Sequence, residues 1–382
     1  MPEALPSPGF LFTVLAFLAM IGPLVMIHEL GHYWAARVFG TKVDSFSIGF
    51  GRRVASWTDK RGTTWQLAWL PLGGYVKFAG DMDEASAGAS PELRGVPEAD
   101  RGQYFAFKPL WQRSIIVLAG PLINLLLAVV IFAGFNLAYG ERTTPPVVAA
   151  VMEGSAAEAA DFQPGDRILS VDGQNIDAWQ DLVAEVTMNP GLPMQVTLLR
   201  DGSEREVTLT PAVIEVADRF GNKGRIGRLG VQSTPDFDVR SVGPIEAVGL
   251  GFEQTWNTIR SMVKLLGHLI TGYRTIDELG GPLKIGKISG EVATLGVPAF
   301  ISLMALISIN LGFINLLPIP MLDGGHLALY AAEAVRGRPL PERAQQWAFM
   351  AGFALVVSFM VVVTVNDLAS FGVFERGAQL FG

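Results

Sequence analysis

Residues 10–32 read FLFTVLAFLAMIGPLVMIHELGH, and this stretch decides the architecture. From Phe10 to Ile27 there are 18 residues without a charge, about the length that crosses a bilayer as a helix. The run ends in His28-Glu29-Leu30-Gly31-His32. On a helix, His28 and His32 stand four residues apart on one face, where two imidazoles can hold a zinc ion, and Glu29 can serve as general base on water held there. The chain has only 4 His, and two of them fall in this motif. Ionisable groups at membrane depth are costly, about 2.5–3.5 kcal/mol each for Asp, Lys or Arg, so they mark function rather than packing.

The 382 residues are 50% hydrophobic and 17% charged, too apolar for an ordinary soluble protein. Four uncharged segments are long enough to span a membrane: Phe10–Ile27, Ser114–Tyr139, Leu295–Leu322 and Trp347–Asn366. Pro298, Pro318 and Pro320 predict that the third is broken near its end. The first lacks a basic flank and a small-residue cleavage site, so it is expected to be retained rather than removed as a signal peptide. Basic residues set the orientation. None precedes the first span, whereas Arg37, Lys42, Arg52, Arg53, Lys60 and Arg61 follow it, and Arg336, Arg338 and Arg343 precede the last. The expected topology has the N-terminus out, the first loop in, and the middle domain and C-terminus out. The net charge of -7 carries no nucleic-acid footprint, so no nucleic-acid partner is expected. With 0 Cys there are no disulfides and no thiolate ligands, which leaves His and carboxylates to hold any metal.

Between the first two spans, Val43–Phe50, Thr63–Leu70 and Tyr75–Phe78 read as short strands, with Gly73-Gly74 as a turn. Residues 81–103, acidic and rich in Ala, Ser and Pro, read as a flexible loop. Residues 145–212 read as a small α+β domain, with a helix over Trp179–Val186 and strands Met194–Leu199 and Glu206–Leu209 about a hairpin at Asp201-Gly202. The run Gly165-Asp166-Arg167-Ile168-Leu169-Ser170-Val171-Asp172-Gly173 resembles a PDZ domain, a fold that binds extended peptides at a sheet edge. Val248, Phe252, Trp256, Ile259, Val263, Leu266 and Ile270 recur in steps of three and four, which predicts an amphipathic helix lying at the membrane interface. His268 on that helix reads as a solvated residue, with metal binding as the less favoured reading.

Two His ligands call for a third protein ligand, with the fourth position left to water. The third span leads to Leu322-Asp323-Gly324-Gly325-His326 after 28 uncharged residues. Asp323 is the expected ligand and His326 its rival; the plainer reading makes Asp323 a helix cap. The first and third spans both run inward, which brings His28, His32 and Asp323 to a similar depth. Asn124, Asn310 and Asn315 lie within spans, where Asn commonly joins helices.

His28-Glu29-Leu30-Gly31-His32, Leu322-Asp323-Gly324-Gly325-His326, a PDZ-like domain between them, Gly73-Gly74-Tyr75-Val76-Lys77 and Ala119-Gly120-Pro121-Leu122-Ile123-Asn124 together resemble the site-2 protease family, in particular its bacterial RseP-type members. The resemblance implies one zinc per chain, held by His28, His32 and Asp323, with Glu29 activating water. It implies cleavage within transmembrane segments of single-pass membrane proteins in the lipid bilayer. The expected substrates are of the anti-sigma-factor type, already trimmed by an upstream site-1-type protease, and signal-peptide remnants, as in a regulated stress response. It implies substrate contacts by Asn315, Pro320, Gly73 and Gly74, and a bacterial inner-membrane location with both termini and the PDZ-like domain periplasmic. Some relatives carry two PDZ domains; residues 213–243 are too few for a second, though Ile226–Val231 fits a closing strand.

The expected fold is thus a polytopic α-helical membrane protein with four transmembrane helices, a membrane-associated β region and one inserted PDZ-like α+β domain. Its segments are 1–40, the first transmembrane helix with its motif; 41–108, the cytoplasmic-side β region and loop; 109–140, the second helix; and 141–215, the PDZ-like domain. They continue with 216–294, a linker and the interfacial helix; 295–336, the third helix with its Asp motif; and 337–382, the fourth helix and tail. Two rivals are a non-catalytic membrane binding protein of the same fold and an ion-conducting transporter. The absence of an evident internal repeat argues against the second, and zinc stoichiometry separates it: one tight zinc favours a hydrolase, none an ion pathway.

Overall fold

A computed structural model describes residues 8–80, 93, 95–217, 223–234, 237–275 and 280–372. In chain order the elements are α1 (Phe10–Val38), β1 (Val43–Thr58), β2 (Thr64–Phe78), α2 (Leu110–Tyr139), β3 (Glu141–Thr143), β4 (Val148–Val151), α3 (Ala156–Ala159), β5 (Arg167–Val171), β6 (Gln174–Asn175), α4 (Trp179–Met188), β7 (Met194–Arg200) and β8 (Ser203–Leu209). They continue with β9 (Ala212–Ala217), β10 (Lys223–Arg228), β11 (Val231–Ser233), β12 (Asp238–Arg240), α5 (Pro244–Ile270), α6 (Pro282–Thr294), α7 (Val297–Leu316), α8 (Asp323–Arg336) and α9 (Glu342–Ser370). Among the described residues four helices are long and apolar enough to cross a membrane: α1, α2, α7 and most of α9. They overlap the four uncharged segments of the sequence. The chain is a multi-pass membrane protein, and it separates into two units, Met1–Phe132 with Gly281–Val365 and Ala133–Gly280 with Asn366–Gly382.

In the first unit the short strands expected over 43–78 are instead two long, bent ones. β1 pairs antiparallel with β2 over Ser45–Ile48 with Gly74–Lys77 and over Arg53–Thr58 with Thr64–Ala68, and Ser45–Ile48 also lies alongside Thr64–Leu67. The result is four lanes, with 74–78 on one outer edge. Gly49 (φ 89°) and Gly51 (φ 90°) sit where β1 bends, in a conformation that a side chain resists. Gly73-Gly74 is not a turn but part of β2, with Gly74 opposite Ile48. Tyr33 and Ala36 of α1, Val43 and Phe46 of β1, Val76 and Phe78 of β2, and Ile116 and Val117 of α2 form one buried cluster, which fixes the sheet beside the motif helix. The expected loop at 81–103 lies outside the described residues over 81–92; Glu98–Gln103 forms a short 3-10 turn.

α7 stops at Leu316, and residues 317–322 are not helical before α8 begins at Asp323. Pro318 and Pro320 account for this, since each lacks an N–H and disfavours helix in the residue before it. α6 had no counterpart in the sequence reading. It packs on the N-terminal half of α1, with Gly290 against Thr13 and the Ser289 hydroxyl 3.7 Å from the Met20 sulfur.

The second unit is built on a four-stranded sheet in the order β6-β5-β7-β8, with three further pairs, β9–β10, β11–β4 and β12–β3. Its core joins Ile168, Val171, Val196 and Leu198 of the sheet to Leu182 and Val186 of α4. Buried Asp166 accepts from Arg200 Nε at 2.7 Å, so the buried charges are paired. The expected closing strand over 226–231 is two strands, β10 and β11, separated at Gly230 (φ 84°). Because β11 pairs with β4, this unit runs beyond residue 215. α5 turns Ala247, Gly251 and Thr255 inward and is tied to α4 by Lys264 Nζ to Glu185 at 2.5 Å. Its stripe of Val248, Phe252, Trp256, Val263 and Ile270 stays exposed.

Candidate metal centre

The helical spacing does what it predicts: the His28 and His32 rings lie on one face of α1, centroids 4.8 Å apart, and both residues are buried. Their Nε2 atoms are 3.2 Å from each other. Asp323, the first residue of α8, points its carboxylate at both. Oδ2 is 3.1 Å from His28 Nε2, and Oδ1 is 3.5 Å from His32 Nε2. The plainer reading of Asp323 as a cap does not describe this site, because Leu322 is the cap residue and no side chain caps the helix. Among the described residues these three form the one group of His and carboxylates spaced to hold a metal, with donor atoms all within 4.8 Å.

The donor chemistry fits zinc. His32 Nδ1 lies 2.9 Å from the Ile116 carbonyl, which can only accept, so Nδ1 carries the proton and Nε2 offers a lone pair. His28 Nδ1 lies 3.3 Å from the amide of buried Asn124, whose Oδ1 has no other partner. Turning that amide over lets Oδ1 accept from Nδ1–H, which again frees Nε2. Two imidazole lone pairs and a carboxylate converging in a buried space repel one another unless a cation lies between them, and an N2O set is a common zinc set that leaves a position open.

Helix α2 supplies this outer support, and it can do so only by coming close. Gly120 faces the His32 ring so tightly that a Cβ there would strike the imidazole, and Gly31 in turn faces the Ala119 carbonyl. Pro121 removes the amide that would bond Val117, loosening the ladder beside Ile116. Asn124 is held by its own carbonyl, which accepts from Ser308 Oγ of α7 at 2.8 Å. The sequence reading treated Asn124 only as helix glue and gave Gly120 no role. The signal was present as Gly120-Pro121-Leu122-Ile123-Asn124, an interruption of an otherwise apolar helix. Asn124→Ala is expected to weaken zinc binding about 10–100-fold, as loss of an outer partner of a metal-bound His does. Competition with a chelator of known affinity checks this.

Glu29 lines the same cavity, of about 270 Å³, together with Val25, Gly73, Gly74, Asn315 and Met321. The backbone N–H of Val76 faces its carboxylate. A Cβ on Gly74 would press on the Glu29 side chain and the Ser47 carbonyl, so this glycine permits the close approach of the strand to the motif. Met321 holds φ 87°, a left-handed conformation costly for a non-glycine residue, about 1–3 kcal/mol, and such strain concentrates at functional sites. Pro320 does not line the cavity; it packs against Gly325 and Gly352. His326, the rival ligand, lines the cavity but rests on the Phe349 ring at 5.0 Å and is not in the metal-spaced group. His268 meets Tyr273 edge-on in the second unit, ring centroids 5.2 Å apart, and is not in the group either.

The sequence profile of peptidase family M50 matches residues 16–359. A protein of Agrobacterium fabrum named as a candidate zinc metalloprotease is 41% identical over 374 residues, which cover 97% of this chain and 99% of that one. Metalloprotease MmpA of Caulobacter vibrioides is 38% identical over 395 residues, covering 98% and 99%. Among solved structures, the PDZ domain of an SdrC-like protein from Listeria monocytogenes is similar over 23% of this chain and 84% of its own, at 17% identity and a TM-score of 0.18, too low to carry weight. With its profile match and relatives spanning nearly the whole chain, this protein belongs to peptidase family M50, the site-2 proteases, and is a zinc-dependent membrane metalloprotease.

Proposed function

We propose that this protease cuts single-pass membrane proteins within their transmembrane segments, using His28, His32 and Asp323 as zinc ligands and Glu29 as general base. The observation that carries the reading is the convergence of the three donors, within 4.8 Å, on a cavity that Glu29 also lines. Zinc, when bound, supplies a Lewis acid for the peptide carbonyl and an acidified water. Glu29 takes the proton from the attacking water and delivers it to the leaving amine nitrogen. Its position beside the Val76 amide, with Gly74 allowing contact, holds the carboxylate on the cavity wall.

A helical substrate hides its amides in internal hydrogen bonds, so it has to unwind before attack. Residues 74–78 offer support for an extended substrate, because they pair with β1 on one side only among the described residues. Gly73, Gly74 and Asn315 on the cavity wall are substrate-contact residues in this reading. Pro320 contributes by keeping residues 317–322 out of a helix. The bias of Lys and Arg puts β1 and β2 on the cytoplasmic side of a bacterial inner membrane, and the second unit, PDZ-like in this reading, in the periplasm. The exposed stripe of α5 is then an interfacial face resting on the lipid surface. Substrates are of the anti-sigma-factor type, shortened beforehand by a site-1-type protease.

The test compares tagged single-pass substrates that differ only in the spanning segment. Segments with central Gly or Pro are expected to be cut at least tenfold faster than a poly-Leu segment. Equal rates would remove the requirement for unwinding and with it this account of the sheet edge.

A further inference from the structure

Two helices from distant parts of the chain meet at the metal centre. α2 holds both His rings in place through the Ile116 carbonyl and Asn124, and α8 opens with Asp323. Their relative position is fixed three residues before Ile116 and ten after Asp323. Arg113 Nη2 of α2 donates to Glu333 Oε2 of α8 at 3.2 Å, and the Arg113 guanidinium lies 4.8 Å from the centre of the Tyr330 ring. Tyr330 itself lines the catalytic cavity. The second oxygen, Glu333 Oε1, accepts from the Leu340 backbone N–H at 3.1 Å and faces Gln345 Nε2 of α9 at 3.5 Å. Glu333 is 5% exposed and the Arg113 side chain 20%, so the pair is largely shielded from water and the Glu333 carboxylate is held by partners on both oxygens.

We infer that the Arg113–Glu333 pair is a positioning latch that sets the distance of Asp323 from His28 and His32. The inference rests on the reading of those three residues as zinc ligands. A long-range ion pair with one face on a cavity residue and another on the α8–α9 turn is poorly placed to stabilise a single helix. It is well placed to stop α8 from sliding or rolling against α2. Without it, the carboxylate of Asp323 samples positions in which only one of its oxygens meets the His pair. The zinc site then loses affinity although every ligand remains.

The test measures zinc affinity of the full chain in detergent by competition with a chelator, and thermal melting of the zinc-free protein in parallel. The proteins are wild type, Arg113→Gln, Glu333→Gln, the exchange Arg113→Glu with Glu333→Arg, and His28→Ala. Each single variant of the pair is expected to bind zinc about tenfold more weakly, in the range seen when outer support of a metal site is lost. The exchange is expected to recover most of that loss. Wild-type zinc affinity in a folded single variant overturns the latch, even with a lowered melting temperature, because that is the behaviour of a purely structural pair. An exchange no tighter than the single variants overturns it as well. If the Gln variants do not fold, Arg113→Lys carries the test: it keeps the charge, gives up the planar contact with Tyr330, and is expected to weaken zinc binding by a smaller factor, so unchanged affinity again overturns the latch. Retention of tight zinc by His28→Ala is a separate outcome, since it removes the metal-site reading beneath the latch.

Discussion

Glu29→Gln is expected to abolish turnover while leaving one zinc bound. Gln keeps the length and the hydrogen-bonding reach of Glu but cannot accept a proton at neutral pH. The lost contribution is that of a positioned general base, about 10²–10⁴ in rate. Zinc is retained because Glu29 is not among the three donors that converge within 4.8 Å. The fold is retained because neither the Gly74 approach nor the Val76 amide requires a charge on the side chain. The measurement is cleavage of a tagged single-pass substrate by both proteins, with zinc content determined on the same samples. Cleavage by the variant within a few-fold of wild type would move the base elsewhere, with His326 on the cavity wall the next residue to test. Loss of zinc together with activity would instead make Glu29 part of the metal's own support.

What the sequence discloses here depends on how local each signal is. A span is a local property, a run of apolar residues with no charge, and each of the four runs overlaps one of the four long apolar helices. His28 and His32 are related by helical periodicity alone, so their shared face was legible from the spacing. The break before Asp323 was legible because Pro318 and Pro320 act on their own neighbours. The sheet was less so. Gly49, Gly51, Gly73 and Gly74 punctuate β1 and β2 like turn residues, yet each lies within one long strand that folds back on itself, where the glycines allow the bend or a close contact. α6 was hidden for a related reason. Its 13 residues mix Lys, Glu and Gly, and what makes it a buried helix is the surface of α1, nearly 270 positions away in the chain. The outer support of the centre depends on contacts of the same kind. Asn124 in an apolar helix is equally compatible with joining any two helices, and only the approach of α1 makes it a partner of His28. The Arg113–Glu333 pair joins residues 220 apart, and Arg113 reads in sequence simply as one of many basic residues flanking a span.

Gly120→Ala is the smallest change expected to disable the centre without touching a ligand. The added methyl would sit on the imidazole of His32, closer than any real contact allows, on a helix whose neighbouring turns are fixed by Ile116 below and Asn124 above. Two responses are open. The His32 ring can turn away, which breaks its bond to the Ile116 carbonyl and swings Nε2 out of reach of Asp323. Or α2 can withdraw from α1, which pulls Asn124 from His28 and opens the contact of Gly31 with Ala119. Either way the zinc ligands lose their alignment, and a misplacement on the order of 1 Å is worth about 10²-fold in rate. The overpacking itself costs about 1–3 kcal/mol, enough to lower the melting temperature but not to unfold a four-span protein. The expected result is therefore a folded chain, correctly inserted, with zinc affinity reduced at least tenfold and cleavage reduced about a hundredfold. Excess zinc should restore occupancy but only part of the rate, since a filled site with a turned His32 still holds its ligands wrongly. Wild-type affinity and rate in Gly120→Ala would mean that α1 and α2 can separate freely at this point. The support of the His pair by α2 would then not be what aligns the site.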